Sequence, residues 1–403
     1  MSNQSKANVY KEINWKVMIP VMLFVLFQSA FNSFSSVLAN IAAVFPEAST
    51  TLVQMIMTVP SLMSIPISLG AGILASYFYK KHLVLFALAA EFVGGIIPLV
   101  ANNSIYFLIL SSALIGVGQG IMISMASAVI GENFTGTTSG VAMGLKQAAS
   151  SIGIAALTVA TGYLALGAWY HAYYIYFLVI PVFILTWILL PKGQKDVRLV
   201  GGGESGGIGK VLTRGCVYYS VLSFFLATFN FAFYTNIGMS IISRGLGDSS
   251  SVGVASAWNS LITIVVGLVF GYILKAFKKY TLAAAMIIQA IAYLLMANAG
   301  SLFLISIGGM IYGLGAGMQM VAACYYILES VEQDASSLAI SVCMTLTSLG
   351  ISASPAILNA IAANFGALDG TTGLMTAGFG MIVLFVIDVA YETVFNKDSR
   401  IGM

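Results

Sequence analysis

Charge is what this sequence has least of. Of its 403 residues only 8% are Asp, Glu, Lys or Arg, against about 25% in soluble domains. So few ions cannot cover a water-exposed surface, and a soluble globular domain is excluded. Cysteine occurs three times (Cys216, Cys324, Cys343) and histidine twice (His82, His171), each alone. No CxxC or Cys/His spacing exists, so no disulfide framework or metal site is expected, and no cofactor motif appears. A net charge of +3 offers no basic surface for nucleic acid. No small-residue cleavage site follows the first apolar run, so no removed signal peptide is expected.

What is present is apolar: 59% of the residues are hydrophobic. A membrane span needs about 20 such residues in a row. Twelve runs qualify: 17–38, 51–75, 82–101, 105–130, 139–163, 170–190, 214–236, 251–274, 281–299, 301–328, 337–363 and 372–391. The expected fold is therefore an all-α polytopic membrane protein. Its twelve transmembrane helices are expected in two pseudo-symmetric six-helix bundles, because the sequence repeats itself.

Gly116-Val117-Gly118-Gln119-Gly120 is followed by Glu132, and Gly313-Leu314-Gly315-Ala316-Gly317 by Glu329, an offset of 197 positions. The same offset, within one or two residues, carries Asn32 to Asn230, Asn40 to Asn236, Gly153 to Gly350 and Lys80-Lys81 to Lys278-Lys279. Between spans 6 and 7 lies a basic, glycine-rich stretch containing Gly201-Gly202-Gly203-Glu204-Ser205-Gly206-Gly207, the composition of a flexible linker. The expected division is an N-terminal bundle over 1–190, a linker over 191–213 and a C-terminal bundle over 214–403. With the N-terminus inside, almost all basic loop residues fall on the cytoplasmic side. This predicts a plasma- or inner-membrane protein with both termini cytoplasmic. A doubled bundle of this kind suits a site between two halves that rock.

Parallel six-helix halves joined by a long cytoplasmic linker resemble the major facilitator superfamily. The resemblance covers essentially the whole chain. In the loop after span 2 the family pattern is Gly-x-Leu-(Ala/Ser)-Asp-(Arg/Lys). Here the stretch reads Gly72-Ile73-Leu74-Ala75-Ser76-Tyr77-Phe78-Tyr79-Lys80-Lys81, with Ser76 where the family has its acid. The resemblance implies a secondary transporter working by alternating access as a monomer, with helices 1, 4, 7 and 10 lining the cavity. The Gly-Pro pair of drug antiporters in helix 5 is absent, which argues against a proton-driven drug exporter.

A charge inside the bilayer costs at least about 2.5–3.5 kcal/mol, so each one needs a partner, water or a function. Lys146, in span 5, is matched across the repeat by neutral Cys343. One reading makes it the anchor for an anionic substrate; the other has it snorkelling, or neutralised by Glu132. Glu91 is matched by Gln289 and reads either as an interhelical hydrogen-bonding group or as a proton carrier. Glu132 and Glu329, with Lys80 and Lys278 in matching loops, read as a symmetric pair of latches. Arg244 and Asp248 read as a solvated loop pair. Among neutral groups, Gln28 and Asn32 share one face of span 1, and Asn230 and Tyr234 one face of span 7. With Gln119, Tyr325 and the repeat-breaking Trp258-Asn259, they are the expected substrate contacts.

The expected function is secondary transport of a small amphipathic organic solute, an organic anion, as symport with protons through Glu91 or as uniport. An exporter of hydrophobic drugs with the same fold is the alternative. A non-transporting receptor or scaffold would need a soluble domain or conspicuous loop that the sequence does not offer. The expected partners are the small-molecule substrate, the lipid bilayer and protons.

Overall fold

The structure, a computed structural model, describes residues 13–134, 136–193, 195, 213–331 and 336–394. Among these, every regular element is helical. The first unbroken apolar stretch, α1 (Trp15–Ser36), turns 3₁₀ from Ala30 onward and is followed by a short helix, Leu38–Val44. Then come α2 (Thr50–Leu74), α3 (Lys80–Val100), α4 (Ile105–Asn133), α5 (Gly136–Leu164) and α6 (Trp169–Leu189). The second series is α7 (Arg214–Ser243), α8 (Ser249–Phe277), α9 (Thr281–Asn298), α10 (Leu302–Glu329), α11 (Ser336–Ala362) and α12 (Thr371–Val394). Among the described residues ten stretches are long and apolar enough to cross a membrane, α8 and α9 running together as one. The twelve expected spans thus correspond to twelve helices.

The linker expected over 191–213 lies, apart from residues 191–193, 195 and 213, outside the described residues. The chain divides into two compact units: Met1–Phe34 with Val59–Leu199, and Ser35–Thr58 with Val200–Met403. Ser35–Thr58, from the end of α1 into α2, thus belongs to the same unit as Val200–Met403.

Within each unit the repeat is visible as packing. A side chain at Gly116 would meet the backbone of Pro60 in α2, and one at Gly118 would meet Ala87 and Glu91 in α3. In the second unit Gly313 lies against the backbone of Asn259 in α8, and Gly315 against Ala285 and Gln289 in α9. The glycine rows of α4 and α10 are therefore seams where two neighbouring helices close in on one helix, as small residues permit in membranes. Gly153 in α5 touches the Leu26 carbonyl of α1, and Gly350 in α11 touches the Phe224 carbonyl of α7. Large apolar side chains such as Leu69, Ile73, Val100, Trp187, Leu268 and Phe303 point outward and exposed, as lipid contact requires.

Local chemistry sets the helix ends. Asp248 caps α8: its carboxylate accepts from Ser251 N at 2.9 Å and from the Ser250 and Ser251 hydroxyls. These bonds hold it at about 2, below the usual 3.8. A lowered carboxylate stabilises above its usual value, and the contribution is lost as pH falls through about 2. Asp248→Ala should lower stability by about 1 kcal/mol, while Asp248→Asn, also a good cap, should lose little. Thermal unfolding at neutral pH measures this; equal losses in both variants would contradict it.

Candidate functional site

Charge in the first unit centres on α5. Lys146 is half-buried, and its ammonium donates to the Ser127 hydroxyl of α4 at 2.8 Å. Neutralisation by Glu132 does not occur. The Glu132 carboxylate sits 3.1 Å from Nζ of Lys80, itself only 6% exposed, at the start of α3. Lys146 is thus a partly desolvated cation with a hydroxyl, not a carboxylate, beside it.

Elsewhere in the first unit several polar side chains are poorly satisfied. The side-chain oxygens of Gln28, Asn32 and Gln119 are buried without a hydrogen-bond donor. Both carboxyl oxygens of Glu91, fully buried in α3, also lack a donor, as does the Tyr176 hydroxyl of α6. Buried polar atoms without partners are rare in proteins; with the Thr186 hydroxyl, six residues of the first unit carry one.

In the second unit Ser35, Ser256, Gln289 and Asp388 also carry an unpaired buried atom, but its central amides are bonded. Asn230 donates to Gln319 Oε1 at 2.9 Å, and Gln289 donates to the same oxygen at 2.7 Å. Asn259 donates to the Tyr234 hydroxyl at 3.0 Å. α7 breaks at Phe231, which frees backbone carbonyls inside an apolar unit. The fully buried Tyr293 donates to the Phe229 and Asn230 carbonyls at 2.9 Å, and Tyr312 donates to the Asn230 carbonyl at 2.9 Å. This meets the requirement that broken backbone at membrane depth be satisfied from within the protein. Of the other expected contacts, Trp258 is exposed and Tyr325 half-buried.

Of the expected latches, Lys80–Glu132 forms within the first unit, while Glu329 is exposed and makes no ion pair among the described residues. The Lys278 carbonyl accepts from the Tyr326 and Thr281 hydroxyls, and its backbone takes a positive φ of 50° at the turn between α8 and α9. Arg244 does not pair with Asp248. Its guanidinium donates to the carbonyls of Met296, Ala297 and Ala299, each at 3.0 Å, and to Ser240. It thus caps the end of α9, where carbonyls lack helical partners. Burial lowers its pKa below the usual guanidinium value.

Four residues outside the expected set, with Asn236 as a partner of one of them, join the polar inventory. Gln54 donates to Asn236 Oδ1 at 3.2 Å, and its own oxygen accepts from Asn359 at 2.8 Å. Asp388 and Glu392 are buried in α12. Each of the four is a polar side chain in or beside an apolar run, which is itself the readable signal. Among the described residues no group of three or more His, Cys, Asp or Glu could hold a metal ion.

Comparison with known proteins places this geometry. The family profile described as Major Facilitator Superfamily matches residues 18–235 and 219–396. No curated protein matches the sequence. Three solved structures illustrate the likeness. A bacterial homologue of the human lysosomal transporter Spinster, inward-facing and unoccupied, has 12% identity and a TM-score of 0.76, with 97% of each chain covered. The nucleoside transporter NupG has 11% identity and a TM-score of 0.72 over 94% of this chain and 99% of its own. The POT family transporter PepTSo has 13% identity and a TM-score of 0.70 over 96% and 99%. At such identities the likeness shows a shared fold.

Proposed function

The chain belongs to the major facilitator superfamily, and we propose that it is a secondary active transporter of a small amphipathic organic anion, working by alternating access. That it is a multi-pass membrane transporter follows from the family; the substrate class is the further step. One observation carries that step. Lys146 is a half-buried ammonium whose side-chain partner is the neutral Ser127, while the acid expected to neutralise it belongs to Lys80. A desolvated cation without a counter-ion is costly, and an anionic ligand group supplies the missing charge.

The asymmetry between the units supports the same reading. Gln28, Asn32 and Gln119 have unpaired oxygens, whereas Asn230 and Gln289 both donate to Gln319 and Asn259 donates to Tyr234, the Gln289 oxygen alone of that set being unpaired. The ligand's polar end is therefore assigned to the first unit, and it carries N–H or O–H donors beside its anion. Asn230, Tyr234 and Asn259 act by holding the second unit together. Exposed Phe225, Trp258 and Met320 suit an apolar ligand portion, which also keeps the hydrophobic-drug exporter as the second reading. Both termini are assigned to the cytoplasm, in a plasma or inner membrane, with coupling to protons through Glu91.

The test is a thermal-shift series on purified protein with amphipathic carboxylates and organophosphates of graded chain length, since a ligand that binds the folded state raises its stability. Lys146→Ala should weaken the anions that stabilise the parent by roughly tenfold to a hundredfold, from the ~1.5–3 kcal/mol of a charged hydrogen bond. Unchanged affinity for each of those anions would overturn the substrate class. Stabilisation by uncharged hydrophobic compounds alone would favour the exporter.

A further inference from the structure

α12 carries two carboxylates that the proposed transport site does not use. Asp388 and Glu392 lie one helical turn apart and are 0% and 1% exposed. The Tyr218 hydroxyl of α7 donates to Asp388 Oδ1 at 3.0 Å, and the Tyr219 hydroxyl donates to Glu392 Oε1 at 2.5 Å. Tyr391 stacks on Tyr218 with ring centroids 3.6 Å apart, and Tyr326 of α10 stacks on Tyr219 at 5.3 Å. The other oxygen of Asp388, Oδ2, is buried without any donor. The offset of 197 lands on Pro191 and Lys195, so the pair has no counterpart in the first half.

Among the described residues, the charged and titratable groups facing this site come from several elements. α7 contributes Arg214, Tyr218 and Tyr219, α10 contributes Tyr326, and α12 itself Tyr391 and Glu392. From the turn before α9, Lys279 spends its ammonium on the Glu392 backbone carbonyl at 3.1 Å. α9 itself offers Tyr293, and the second segment of α7 offers Tyr234, both engaged near the α7 break. α11 offers Cys343, whose thiol donates to Ser223. None of these places a second donor on Asp388.

We propose that Asp388 is a proton-binding site whose occupancy controls how firmly the first half of α7 is held against α12. With the proton bound, Asp388 is neutral and Oδ2 becomes a hydroxyl, so a single negative charge remains, on Glu392. With the proton released, two like charges stand a turn apart in a site shielded from water, a repulsive arrangement. The strain falls on the tyrosines that tie α7 to α12. The site is distinct from Lys146 and Glu91, and the proposal does not rest on the anion reading.

Cys216 provides a reporter, because it lies in α7 beside these tyrosines and is 2% exposed. The experiment follows its maleimide labelling in Cys324→Ser/Cys343→Ser protein across neutral pH. Each rate is divided by that of the unfolded chain at the same pH, which removes the thiol's own ionisation. The normalised rate should rise by about tenfold with pH, the effect of ~1.4 kcal/mol. Asp388→Asn keeps an oxygen for Tyr218 and mimics the protonated acid, so it should label slowly at every pH. Glu392→Gln should flatten the profile. A flat parent profile, a pH dependence that survives in Asp388→Asn, or a rate set by sodium at constant pH would each overturn the proposal. Lys146→Ala and Glu91→Gln should leave the profile intact, so failure here and failure of the anion reading are separable.

Discussion

Gly153→Val should sharply lower the stability and yield of the folded protein, while Gly144→Ala, in the same helix, should not harm it. At Gly153 an added Cβ would collide with the Leu26 carbonyl and stand 2.8 Å from Leu26 Cα. Those atoms are backbone and cannot rotate aside, so α1 and α5 would have to separate. Overpacking of a well-packed core costs typically 1–3 kcal/mol, occasionally more, and a rigid backbone neighbour puts this site at the upper end, about 3 kcal/mol. Gly350 stands in the same relation to Phe224, so Gly350→Val should behave alike in the second unit. A Cβ at Gly144 meets nothing within 4 Å, and alanine there gains roughly 1 kcal/mol of helix propensity. Yield of monodisperse protein and thermal unfolding of the three variants check this. Wild-type yield and unfolding temperature in Gly153→Val would show that α1 and α5 do not pack as described.

The glycine rows were legible in the sequence because close helix contact demands a small residue at a fixed place, and a duplicated fold repeats that demand at Gly118 and Gly315. The state of the amides was not legible. Asn32 and Asn230 are equivalent by offset, yet Asn230 meets Gln319 on α10 while the Asn32 oxygen meets no donor. That difference depends on side chains some ninety positions away. Nor does any local signal mark the break in α7. Phe229-Asn230-Phe231-Ala232-Phe233 contains no glycine or proline, the usual causes of a kink, and Tyr293 and Tyr312, from two other helices, satisfy the freed carbonyls. Arg244 misleads for the same reason. Asp248, four positions on, is the obvious partner by sequence, but the end of α9 offers three carbonyls that match a planar guanidinium better.

Glu91→Gln should abolish accumulation driven by a pH difference while leaving binding and exchange intact. Glu91 is fully buried, and neither of its oxygens has a hydrogen-bond donor. Gly118 leaves the space that its side chain occupies, and Tyr176, resting on Gly95 one turn further along α3, faces it without a partner for its own hydroxyl. An ionised carboxylate in that place would be uncompensated, and such charges neutralise or find water. A proton taken up here and released when the site meets water is the simplest coupling device the first unit offers. The repeat provides the control. Gln289, at the equivalent place in α9, packs on Gly315 and donates to Gln319 at 2.7 Å. An amide therefore fits that helix crossing, and Gln at position 91 should fold. In proteoliposomes, with an anion identified by thermal shift, the parent should concentrate substrate under an imposed pH difference. The variant should only equilibrate it, with exchange of labelled for unlabelled substrate at the parent's rate. Concentrative, pH-driven uptake in Glu91→Gln would remove Glu91 from the coupling path, and loss of exchange as well would mark it as a structural group of α3.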